Sequence, residues 1–220
     1  MTLAGEIIAT ARQMTALGLN RGRSGNVSAR TGSGFLVTPS GRDYATMIPD
    51  QIVAMAMTGA WEGPHKPSSE WRFHRDLLAS RPEFNAVIHA HPVHATALAV
   101  HGRGIGAFHY MVAIAGGADI RCAPYATFGT QALSDHVLAA LEGRRACLMA
   151  HHGMIACGST LDEALEIALE VETLAEQFIA ASAIGPPPEL SAEEMAEVIA
   201  KFQAGYGYAS SPGEPAEEQV

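Results

Sequence analysis

Residues 87–98, VIHAHPVHATAL, put three histidines within six positions of an otherwise apolar stretch. No other feature limits the possible folds of this chain as much. An imidazole in an apolar interior is costly unless its ring nitrogens find partners. Whatever fold the chain adopts must bring hydrogen-bond partners or a metal ion to His89, His91 and His94. Residues 84–91 read as a buried strand, where side chains alternate between faces. His89 and His91 then point the same way from a rigid base and are placed to share one ion. His94 lies beyond Pro92, outside that alternation, and is not taken as a ligand. A zinc site needs at least one more protein ligand. The apolar stretch ACLMAHHG, 146–153, reads as a second strand that ends in His151 and His152. The two face opposite sides of that strand, so only one can join the first pair. Spacing leaves open which one, and leaves open that all are satisfied core or surface histidines.

Glu70 is the candidate carboxylate to accompany these histidines. The stretch PSSEWRFHRDLLASRP, 67–82, reads as a helix with Pro67 and Ser68 at its start, Glu70 in its first turn and Pro82 beyond its end. An acid there is stabilised by the helix N-terminus. It is equally suited to a place beside a metal, as ligand, as base, or as both in turn. The turns SGN (24–26) and PSG (39–41) expose backbone N–H groups of the kind that form anion nests. Ser68 and Ser69 add hydroxyls. Each feature alone is ordinary turn chemistry. Together they offer a phosphate site built from neutral donors, which suits a chain of net charge -9.

That negative balance speaks against nucleic acid as a partner, because phosphate backbones need a positive surface. The 220 residues, 48% hydrophobic, are enough for one domain with a full core. Helices are expected at 3–18, 92–102, 130–143, 159–185 and 191–205, with Thr160 and Ser191 as N-caps and Glu194 completing a capping box. Strands are expected within 34–41, 85–91 and 146–152, and short strands between the turns of 20–34. One domain is assigned to 1–208. Residues 209–220, rich in Pro, Ser and Glu, have little to bury and are expected to be a disordered tail. Cys122, Cys147 and Cys157 match no zinc ribbon or disulfide framework, so they are expected reduced, in the cytoplasm. No signal peptide or membrane-length apolar run is read.

Seven stretches, LGLNRGRSGNVSAR, TPSG, PSSEWRFHRDLLASRP, NAVIHAHPVHATA, HYMVAIAGG, RCAPYATFGT and AHHGMIACG, occur in an order that resembles the class II aldolase/adducin family. The likeness runs from Leu3 to Tyr206 and is strongest to bacterial sugar-phosphate aldolases. It implies a three-layer α/β/α domain around a mixed, mainly antiparallel sheet, assembled as a homotetramer with active sites between subunits. It implies one Zn2+ per subunit, bound by His89, His91 and His152 with Glu70 as a further ligand. His151 falls where many relatives have Asn. Gly25, Asn26, Ser40, Gly41, Ser68 and Ser69 match phosphate-binding positions; Ser40 stands where close relatives often have Thr. Tyr110 matches a tyrosine that protonates the aldehyde oxygen in a neighbouring subunit's site. Phe128 and Tyr206 match the aldehyde pocket, although one extra residue precedes Tyr206.

The reaction implied is reversible cleavage of L-fuculose 1-phosphate to dihydroxyacetone phosphate and L-lactaldehyde, with Glu70 carrying the proton. No Schiff base is needed, and the only lysines, Lys66 and Lys201, lie in no pocket-like apolar run. The family also holds aldolases for 5-deoxyribulose and methylthioribulose 1-phosphates, pentulose-phosphate 4-epimerases, dehydratases and the non-catalytic adducin head. The epimerases tend to carry Asp at the position of Glu70, and the adducin heads lack the metal histidines.

Overall fold

A computed structural model describes residues 1–205. Tyr206 and the expected tail 209–220 lie outside the described residues. The chain runs α1 (Leu3–Ala16), β1 (Asn26–Arg30), β2 (Gly34–Val37), β3 (Val53–Ala56), α2 (Trp71–Ser80), β4 (Ala86–Ala90), α3 (Val93–Val100), β5 (Cys122–Ala123), α4 (Gln131–Ala140), β6 (Ala146–Met149), β7 (Gly153–Gly158), α5 (Leu161–Ile184) and α6 (Ala192–Gln203). The strands form one sheet in the order β3-β2-β1-β4-β7-β6-β5. Every neighbouring pair is antiparallel except β5 with β6. The mixed, mainly antiparallel sheet is the one expected.

Helices cover both faces. On one face Ile88, Ala90, Leu148, Met154 and Ala156 pack with Ile7, Leu98, Leu174 and Phe178 of α1, α3 and α5. On the other, Val87, Cys147, Ile155 and Cys157 pack with Phe73 and Leu77 of α2 and Leu133 and Val137 of α4. Alternation along each strand divides these two sets, because successive side chains leave a sheet on opposite sides. A strand buried on both faces shows no polar alternation, which is why β4 reads as a continuous apolar run broken only by its histidine.

The caps follow the sequence. Thr160 accepts from Glu163 N at 3.1 Å, and Ser191 and Glu194 form the capping box. Two expectations need correction. The helix expected from Pro67 begins at Trp71, so Glu70 sits at its N-cap position, with no capping hydrogen bond from its side chain. The strand expected to run through His151 and His152 ends at Met149. Met149 pairs with Gly153, so Ala150, His151 and His152 form the loop of a hairpin. His151 takes a φ of 56° there. Tight hairpin turns usually advertise the left-handed position with Gly or Asn; a histidine in that place hid this one. The strand β3 had no expectation at all.

Candidate metal centre

The site stands on the α2 side of the sheet, where three elements meet. β4 supplies His89 and, one residue past its end, His91. The β6–β7 loop supplies His152. The turn into α2 supplies Glu70. One ligand nitrogen from each of His89, His91 and His152 lies within 4.8 Å of the others. Among the described residues this is the group of histidines, cysteines and acids able to hold an ion. Glu70 closes the cluster: its Oε2 is 3.1 Å from His89 Nε2 and its Oε1 is 3.1 Å from His152 Nε2.

The hydrogen bonds decide which nitrogens face the cluster. His89 is fully buried, and its Nδ1 meets the Met154 carbonyl at 2.9 Å. A carbonyl only accepts, so Nδ1 carries a proton and Nε2 points into the cluster. His89 Nε2 is also 2.9 Å from His91 Nε2, a contact that needs one proton between two nitrogens. Burial opposes a charge on His89, but the attraction of Glu70 and its hydrogen bond raise the imidazole above its ordinary value. Burial, and then the charge on His89, pushes His91 down to about 3. For Glu70, burial opposes ionisation. The attraction of His89 and the closeness of the His152 and His89 rings outweigh it and hold the carboxyl well below the usual carboxylate range.

These residues fit a transition metal. Imidazole nitrogens with one carboxylate are a donor set that suits zinc and other transition metals. Glu70 Oε1 is buried and has no hydrogen-bond partner, which is costly unless a cation completes it. The close approach of the strands is also built in: a Cβ on Gly153 would run into the Ala90 carbonyl and come within 2.5 Å of the His91 ring.

Three loops gather beside this cluster. Pro39 and Pro67 form an isolated bridge, and Ser40 N donates to the Lys66 carbonyl at 3.0 Å. The Tyr44 hydroxyl donates to the Gly25 carbonyl, and Arg23 Nη1 to that of Gly41. Gly25 and Gly41 have φ of 80° and 69°, conformations that glycine adopts freely. So Gly25, Ser40, Gly41, Ser68 and Ser69 are brought into neighbouring loops. A fourth loop joins them. Arg72 Nη1 donates to the Gly129 carbonyl at 2.6 Å, and Gly129 packs so closely on the Ser69 carbonyl that no Cβ fits. Phe128 therefore stands beside the Ser69 loop, 65% exposed.

Comparisons with known proteins give the family. A family model described as the class II aldolase and adducin N-terminal domain matches residues 5–179. The chain belongs to the class II aldolase and adducin family. It is 55% identical over 210 residues, 96% of this chain and 95% of the relative, to the 5-methylthioribulose-1-phosphate/5-deoxyribulose-1-phosphate aldolase of Rhodospirillum rubrum. It is 51% identical over 206 residues, 93% of this chain and 95% of the relative, to the L-fuculose phosphate aldolase of Escherichia coli K12. A solved L-fuculose 1-phosphate aldolase superposes with a TM-score of 0.89 at 38% identity, covering 91% of this chain and 96% of that one.

In this class II aldolase chain, His152 and not His151 joins the pair on β4. His151 is turned outward and packs edge-on to Tyr125, with ring centroids 5.9 Å apart. His94 pairs with Glu172 at 2.8 Å, away from the cluster. Tyr110 opens a short 3-10 helix, Tyr110–Ala115, packed on α5 and α6; it is 43% exposed, with its ring beside that of His109. Asn26 is buried, and its amide is engaged at both ends, by Glu70 and by His74. Two residues of this network, Ser28 and His74, were not read from the sequence. The available signal was His74 four residues after Glu70, on the same stripe as Phe73 and Leu77. A histidine on the core face of a helix raises the same question as the histidines of β4.

Proposed function

We propose that this chain is a zinc-dependent aldolase that reversibly cleaves a 1-phosphoketose between C3 and C4, giving dihydroxyacetone phosphate and a short aldehyde. The observation that carries this reading is the convergence of three histidines on buried Glu70, whose Oε1 lacks a hydrogen-bond partner. The adducin-like assembly role gains nothing from such a cluster. When bound, zinc supplies Lewis-acid stabilisation of the negative charge that develops on the substrate's ketone and hydroxyl oxygens.

The chain's own residues do the rest. Glu70 is held ionised and has one oxygen engaged by Asn26 at 3.0 Å, which leaves Oε1 as the atom that takes and returns the proton at the donor carbon. The hydroxyls and backbone N–H groups of Gly25, Ser40, Gly41, Ser68 and Ser69 hold the phosphate and so fix the donor's orientation. The second N–H of the Asn26 amide joins them. Tyr110 and Phe128 are exposed on the single chain. That exposure suits a homotetramer in which Tyr110 reaches a neighbouring subunit's site to protonate the aldehyde oxygen, with Phe128 as a wall of the pocket. Tyr206 remains assigned to that pocket by resemblance alone. The free cysteines, with Cys147 and Cys157 buried in the sheet, suit the reducing cytoplasm. No helix among the described residues is long and apolar enough to cross a membrane.

For the far end of the substrate, L-fuculose 1-phosphate, which yields L-lactaldehyde, is one reading. A second is favoured by the 55% identical relative: 5-deoxyribulose or 5-methylthioribulose 1-phosphate, yielding acetaldehyde or its methylthio derivative. All three share the phosphorylated donor half and differ in a small, mostly apolar remainder. The test is cleavage of each by zinc-loaded protein, with products identified. Turnover of at least one, with dihydroxyacetone phosphate released, is expected, and their kcat/KM ratios name the substrate. Failure on every 1-phosphoketose overturns the reading.

A further inference from the structure

His74 is a buried imidazole for which the mechanism above has no use. It is fully enclosed in the α2 face of the core. Its two ring nitrogens are both engaged: Nδ1 meets the Ser28 hydroxyl at 2.7 Å, and Nε2 meets Asn26 Oδ1. Asn26 Nδ2 in turn donates to Glu70 Oε2. The direction of every bond in this chain follows from its end. A carboxylate only accepts, so Asn26 must present its NH2 to Glu70 and its oxygen to His74. His74 Nε2 must then carry a proton. Burial pushes His74 down to about 3, so the ring is neutral and Nδ1 is bare. Ser28 must therefore donate. The register of the sheet supports the same geometry: Asn26 pairs with His89 and Ser28 with Val87, so the network lies along the strands that carry the metal cluster.

We propose that His74 is a positioning residue for Glu70, acting through Asn26. An asparagine amide has two nearly isosteric orientations, and only the one held by His74 gives Glu70 a donor. The two carboxylate oxygens are thereby made unequal: Oε2 is anchored by Asn26, and Oε1, with no hydrogen bond of its own, faces His152. Ser28 satisfies the bare Nδ1 of that His74 tautomer. The proposal rests on the reading of Glu70 as proton carrier and metal ligand.

The experiment compares His74→Leu, His74→Gln and Glu70→Gln in the full-length chain. Turnover, KM and zinc affinity by chelator competition are measured, and near-UV circular dichroism checks the fold. His74→Leu is expected to lose about 10- to 100-fold in turnover and to bind zinc more weakly, the usual range for a lost support of a metal ligand. His74→Gln, whose amide N–H can stand in place of Nε2–H, is expected to recover most of both. Added to Glu70→Gln, His74→Leu is expected to cost less than about 3-fold more, because coupled residues are not additive. If His74→Leu does not fold, Ser28→Ala takes its place, with an expected loss of about 5-fold for one hydrogen bond.

Wild-type turnover and zinc affinity in His74→Leu, beside an impaired Glu70→Gln, overturn the proposal and leave the reading of Glu70 standing. So does an equal further loss on the Glu70→Gln background, or no recovery in His74→Gln. Full turnover in Glu70→Gln overturns Glu70 as proton carrier instead, and the zinc affinity of His74→Leu then decides the positioning role alone.

Discussion

His89 donates from Nδ1 to the main-chain carbonyl of Met154 over 2.9 Å, across the ladder between β4 and β7. This bond ties a side chain in the middle of one strand to the backbone of its neighbour. It leaves the Nε2 lone pair no freedom of direction. The other two histidines are placed by the ends of elements, His91 just past β4 and His152 in the β6–β7 loop. The cluster therefore depends on the pairing of β4 with β7 as much as on the ligands themselves.

His152→Ala is expected to abolish stoichiometric zinc binding, while His151→Ala and His94→Ala retain about one ion per chain. Elemental analysis of the purified variants checks it. The reason is geometric: His151 is turned out by its positive φ and His94 is occupied by Glu172. An empty site in His151→Ala beside a filled one in His152→Ala would reverse the assignment of the loop.

Gly153→Ala is expected to fold but to bind zinc about 10- to 100-fold more weakly, as when a ligand's support is disturbed. The added methyl meets the Ala90 carbonyl and the His91 ring, so His91 must move. Chelator competition reads the affinity. Unchanged affinity would mean that the strands can separate without disturbing the ligand.

Tyr110→Phe is expected to slow carbon–carbon cleavage by about 10²-fold or more, the range for a lost general acid. Solvent deuterium uptake into dihydroxyacetone phosphate is expected to slow much less, because the proposed mechanism gives that step to Glu70 and brings Tyr110 only to the aldehyde. Equal losses in both would make Tyr110 a general support of the site.

Tyr44 gives a pH dependence of defined sign. Burial, joined by the charge of Glu70, pushes its phenol from 10.0 up to about 12. The protonated form is favoured in the folded state, so this contribution is whole below pH 10 and drains as the pH rises from 10 through 12. By pH 11 the loss is about 1 kcal/mol. Urea unfolding at pH 9 and pH 11 is expected to show the wild type losing that much more than Tyr44→Phe. Parallel losses in the two proteins would remove the phenol from the alkaline limb.

Local physical chemistry made much of this chain legible in its sequence. Caps at Thr160 and Ser191 satisfy groups a few residues away, so their signals are local. The alternation that puts His89 and His91 on one side also needs only neighbouring residues. The resemblance to class II aldolases carried the sheet and the choice of His152. Residues alone left that choice open, because it depends on where a strand stops. Only the tertiary structure turned 150–152 into a hairpin loop and set Glu70 outside its helix, free to face the histidines. It also showed why His74 is buried. His74 is far in sequence from Asn26 and Ser28, and each alone is an ordinary polar residue in an element with a buried face. Their network arises because β1 pairs with β4 and α2 packs on the same face of the sheet, against β4 and β2. Hydrogen bonds between side chains distant in sequence leave no periodicity to read, whereas caps and alternation do.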